Sequence, residues 1–91
     1  MFLEVKKGIW ISRWWAERIT VVQVIGSDTT RDMYGVQITF DVVGAQTRGQ
    51  YLELYAGTPT PEAAHVKAAF LIRELERFIR GEEVVLIKDS D

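Results

Sequence analysis

Residues 60–81 read Thr60-Pro-Glu-Ala-Ala-His-Val-Lys-Ala-Ala-Phe-Leu-Ile-Arg-Glu-Leu-Glu-Arg-Phe-Ile-Arg-Gly81, and the fold turns on how they are read. Thr60 offers a side-chain oxygen at a helix N-cap, and Pro61 follows at the first helical position, where its missing N–H costs nothing. Glu62 falls in the first turn, near the positive end of the macrodipole, while Arg73, Arg77 and Arg80 lie toward the negative end. Gly81 stands where a helix commonly gives way to a left-handed residue. These signals predict a single helix over Pro61–Arg80.

At about 100° per residue, Ala64, Ala68, Leu71, Ile72, Leu75, Phe78 and Ile79 share one arc, which requires an apolar partner surface. A helix of this length spans about 30 Å, close to the length of a strand of eight or nine residues. It is therefore suited to lie across one face of a sheet. Lys67, Arg73, Glu74, Glu76, Arg77 and Arg80 fill the opposite arc and belong in water. Among them, Val66 and Phe70 stand one turn apart and form a small apolar patch, covered either by a terminal segment or by a partner.

The sheet is supplied upstream. Ile19–Ile25 is rich in β-branched residues. Tyr34–Val43 sets Val36, Ile38, Phe40 and Val42 against Gln37, Thr39 and Asp41, the alternation of an antiparallel strand with one wet face. In Gln50–Ala56, Leu52 and Leu54 are expected toward the helix, with Tyr51, Glu53 and Tyr55 outward. Residues 2–6 make a short first strand, broken by Gly8. Residues 10–18 admit two readings: a strand with Trp10, Ser12 and Trp14 on one face and a turn at Ala16–Glu17, or a short helical turn capped by Ser12. Their aromatic and β-branched content favours the strand. Polar loops fall at residues 26–32 and 44–49, and Val84–Ile87, too apolar for a free tail, is expected to add a short terminal strand at a sheet edge or to pair with another subunit. The expected fold is α+β: an antiparallel sheet of three to five strands with one long C-terminal helix packed on one face, residues 1–91 making a single domain.

Composition narrows function by exclusion. The chain has no cysteine, so it has no disulfide framework, thiolate metal site or thiol nucleophile. A 47% hydrophobic, 26% charged composition is that of a globular protein. No signal peptide or membrane-spanning run is legible, which points to a soluble, cytoplasmic protein. The formal charge is −2, far from the cationic surplus of a typical nucleic-acid binder. Gly44-Ala-Gln-Thr-Arg-Gly49 has the glycine spacing of a phosphate-binding loop, but Gln50 and Tyr51 replace the required lysine and hydroxyl residue. Residues 27–32 lack the alternating oxygens of a calcium loop. His65, the single histidine, has no ligand or nucleophile partner in the sequence. Asp41 and Glu53, outward on neighbouring strands, are a carboxylate pair of the kind most sheets carry. The Ala-rich helix start after an antiparallel sheet resembles double-stranded-RNA-binding domains, yet Lys67 stands alone where that family carries several lysines, and the likeness goes no further.

What remains is apolar surface. Trp10, Trp14 and Trp15 crowd into six positions, with Arg13 and Arg18 beside them. Together with Val66 and Phe70 these tryptophans are the expected partner-binding residues of a small non-enzymatic protein-interaction module. Such a module docks on a larger protein or self-associates as a homodimer, and uses no metal or cofactor. Small chains of this build are frequent among phage and mobile-element proteins, inhibitors of host enzymes included. The alternative is single-stranded nucleic-acid binding on an aromatic sheet face, with Trp14, Tyr51 and Tyr55 stacking on bases and Arg13 and Arg18 adding cation–π support.

Overall fold

In chain order the elements are β1 (Phe2–Lys6), β2 (Ile9–Ser12), α1 (Arg13–Ala16), β3 (Ile19–Gly26), β4 (Tyr34–Phe40), β5 (Tyr51–Thr58) and α2 (Pro61–Ile79). The computed structural model describes residues 1–27, 32–41 and 50–84. α2 begins and ends as its sequence dictates. The Ala63 N–H donates to Thr60 Oγ1 at 3.2 Å. At the other end Gly81 takes φ +81°. The Gly81 N–H donates to the Phe78 carbonyl at 3.0 Å, and that of Glu82 to the Arg77 carbonyl at 2.9 Å. These paired bonds satisfy carbonyls that the helix leaves open, and only a residue free to adopt positive φ allows them.

β3, β4 and β5 form an antiparallel sheet in that order, and β1 and β2 form a separate two-stranded hairpin. The core joins Leu3, Val5 and Ile11 of the hairpin to Val36, Ile38 and Phe40 of β4, Leu54 and Tyr55 of β5, and Leu71, Leu75 and Phe78 of α2. The fold is thus α+β, with one long C-terminal helix against an antiparallel sheet. Val84 packs half-buried against this core. The rest of the expected terminal strand, Val85–Ile87, lies outside the described residues, as do Val42, Val43 and the loops at 28–31 and 44–49.

Three expectations are corrected. The first concerns residues 10–18. β2 stops at Ser12, whose Oγ accepts from the Trp15 N–H at 3.3 Å and opens the single turn of α1. Trp10 and Trp14 therefore do not share a strand face, and the chain turns at Glu17–Arg18. Tertiary packing overrides strand propensity here: Ala16 is buried, and Trp15 meets Phe40 edge-on with ring centroids 5.4 Å apart.

The second concerns Tyr55, which is buried. Tyr34 pairs with Thr58 whereas Val36 pairs with Leu54, so β5 carries extra residues at this point. The bulge puts Tyr55 at φ +57° and breaks the alternation, leaving Leu54, Tyr55 and Ala56 all buried. Lys67 holds the bulge against α2: its Nζ lies 5.3 Å from the Tyr55 ring centroid and donates to Thr58 Oγ1 at 3.0 Å. Thr58 Oγ1 in turn donates to the Tyr55 carbonyl at 2.7 Å.

The third concerns the buried arc of α2, which consists of Ala64, Ala68, Leu71, Glu74, Leu75 and Phe78. On a helical wheel it is turned by about 40° from the expected arc. Glu74 moves inside and Ile72 is 40% exposed. On this flank Phe78 lies beside Met1 and beside Phe2 and Leu3 of the hairpin. Glu74 stays ionically satisfied through Arg77 Nη1 at 3.3 Å.

Candidate docking surface

β2 and α1 carry the tryptophans to the surface in different ways. Trp10 lies on the outer face of the hairpin opposite Glu4 and is 59% exposed. Trp14, on α1, is 48% exposed. Trp15 is half-buried between them and the core, edge-on to Trp14 at 5.3 Å and to Phe40 at 5.4 Å. Tyr51, at the start of β5, is 59% exposed. Trp10, Trp15, Tyr51 and Leu52 line one groove of about 170 Å³, floored by Phe40. That volume is below the roughly 300 Å³ at which small-molecule pockets begin. It suits a single inserted side chain.

The arginines near this patch are already engaged. Arg18 Cζ lies over the Trp14 ring, 3.6 Å from its centroid, and Arg18 Nη1 donates to the Trp14 carbonyl at 2.8 Å. Arg13 Nε pairs with Glu17 Oε1 at 3.2 Å. Of the aromatic residues expected to stack on bases, Trp14 and Tyr51 are exposed and Tyr55 is buried.

Val66 and Phe70 form a separate feature. Val66 is 70% exposed. Phe70 is half-buried, with Arg73 Cζ 5.5 Å from its ring centroid. α1 meets the second half of α2, where Ala16 lies with Leu75, Glu76 and Ile79. Val66 stands nine residues before Leu75, about 13 Å along the axis. The structure brings Trp10, Trp15 and Tyr51 to one groove, with Trp14 joined to it through its edge-on contact with Trp15, while Val66 and Phe70 line no part of it.

Sequence reasoning missed Val21, 44% exposed, and Ile72, both beside the outer edge of β3. The available signal was the absence of any charged residue from Ile19 to Gly26.

Among the described residues, no three His, Asp or Glu side chains converge as a metal ion requires. No described helix is long and apolar enough to cross a membrane. No protein-family model matches the chain, and no curated protein or solved structure is significantly similar to it.

Proposed function

We propose that this chain is a soluble, cytoplasmic protein-interaction module without chemistry of its own, docking on a larger protein through Trp10, Trp14 and Tyr51. The observation that carries this reading is the pairing of exposure with rigidity. Trp10 and Trp14 offer large apolar area to solvent, while Trp15 anchors their platform edge-on to buried Phe40. Rigid aromatic anchors around a side-chain-sized groove are the usual energetic centre of a protein interface, because they bury area at little entropic loss.

Nucleic-acid stacking has weaker support. Tyr55 is buried beneath Lys67, and Arg18 already covers one face of Trp14.

The test is affinity capture from the source cell with the wild-type chain and with a Trp10→Ala/Tyr51→Ala double variant of unchanged circular dichroism. A defined protein recovered by the first and lost by the second is expected. Equal recovery by both removes the reading, and quenching of tryptophan emission by an oligonucleotide at low salt transfers support to the nucleic-acid alternative.

A further inference from the structure

β3 is an eight-residue strand at one end of its sheet, paired with β4 on one side. Among the described residues nothing pairs with its outer side. Natural sheets protect such edges with charge, proline or brevity. β3 has none of these: from Ile19 to Gly26 it carries no charged residue and no proline, and its one irregularity lies near its start, between Ile19 and Val21.

Above this edge α2 is set back. Val22 and Val24, on the helix-covered side, remain half-exposed, and Ile72 is exposed above them. Two adjoining hollows of about 300 and 450 Å³ run along β3 and share Val22 and Ile72. Glu76 lines one and His65 the other. An unpaired strand beside an apolar trough is the geometry that accepts an added strand.

We infer that the occupant is β3 of a second copy of this chain, paired antiparallel about a two-fold axis at Gln23. The inference goes beyond the proposed function and does not rest on the aromatic patch. The register follows from matching side chains. With Gln23 opposite its own mate, Val22 meets Val24 on the helix side, and Val21 meets Ile25 on the open side. Shifting the axis to Val22 or Val24 sets Gln23 against Val21 or Ile25 and wastes the match. Gln23 already donates from Nε2 to Gln37 Oε1 at 2.9 Å, so the centred register extends that amide ladder across the axis. The two-fold also exchanges the ends of the trough, bringing Glu76 of one copy toward His65 of the other. The eight-residue strand offers about 26 Å of unpaired backbone to its mate. The pairing gives one six-stranded sheet with both long helices on one face.

The test places self-generated charge at the axis. Gln23 is exposed, so Gln23→Lys and Gln23→Glu chains should each fold, which circular dichroism checks. In sedimentation equilibrium the wild type dimerises with rising concentration, each variant alone associates about tenfold or more weakly, and their equimolar mixture regains wild-type association. Trp10→Ala dimerises like wild type, so failure of the aromatic reading leaves this result untouched. A chain monomeric up to about 1 mM overturns the inference, as does a dimer indifferent to both Gln23 variants, or an extended peptide of another protein bound along β3 of a monomer. If a variant fails to fold, hydrogen exchange of the wild type decides: β3 amides slow as concentration rises, and exchange independent of concentration overturns the pairing.

Discussion

Replacing Trp15 by alanine tests whether the exposed aromatics stand on a rigid base. Trp15 is half-buried, so truncation returns about 100 Å² of apolar contact to water, worth about 2.5 kcal/mol. It also removes two edge-on ring contacts, at 5.4 Å to Phe40 and 5.3 Å to Trp14. Such pairs add about 0.5–1.5 kcal/mol each, with the solvent-facing Trp14 pair at the low end. The expected loss is about 3.5–4.5 kcal/mol. That is a large share of the roughly 5–14 kcal/mol that a chain of 91 residues commands. Urea unfolding followed by far-ultraviolet circular dichroism measures it, with Trp10→Ala as the comparison. Trp10 is largely exposed, and its removal should cost about 1 kcal/mol or less. A double-mutant cycle with Phe40→Leu should show coupling of about 0.5–1.5 kcal/mol. If Trp15→Ala costs less than about 1 kcal/mol, or the cycle shows no coupling, α1 is not docked on Phe40 and the rigid platform does not exist.

Leu71→Ala should lose about 2–5 kcal/mol while Ile72→Ala, one residue on, stays within about 1 kcal/mol; equal losses would contradict the rotated helix face, and thermal melts suffice to compare them. Gly35→Ala should cost about 1–3 kcal/mol by the same measurement, because a Cβ there would stand 3.1 Å from the Leu54 carbonyl oxygen and 3.3 Å from the Ala56 Cα. Gly57→Ala, with nothing within 4 Å of its Cβ position, is the matched control and should change little. Hydrogen bonding from Arg80 at 2.6 Å holds the Glu82 carboxyl below its ordinary range. A depressed folded-state value means that this contribution is complete above the unfolded carboxylate pKa and is lost as pH falls through the folded one. An NMR titration should place the Glu82 midpoint below that of an ordinary glutamate, and Arg80→Ala should bring it back up.

The helix was legible because local chemistry alone sets its limits: Thr60, Pro61 and Gly81 act within a turn of themselves. β3 and β4 were legible for a similar reason, since β-branched content and alternation need no knowledge of the partner. The failures share a cause in long-range packing. Ser12 can cap a turn or continue a strand, and the choice is made by Phe40, far along the chain, receiving Trp15. Tyr55 reads as outward until the bulge opposite Tyr34–Val36 shifts it inward. Glu74 reads as wet until its ion pair with Arg77 accompanies it inside. The candidate surface was half legible. An unusual density of tryptophan marked the place, but which rings face solvent depends on how α1 docks, and Tyr51 joins Trp10 only through the packing of β2 near β5.

The most direct measurement is calorimetric titration of the captured partner, purified, against the wild-type chain, Trp10→Ala and Val66→Ala. Docking through the aromatic groove predicts that Trp10→Ala weakens binding about 30-fold or more, as removal of an interface anchor does, while Val66→Ala leaves it within about threefold. Equal affinity for the wild type and Trp10→Ala would contradict the account, however tightly both bind.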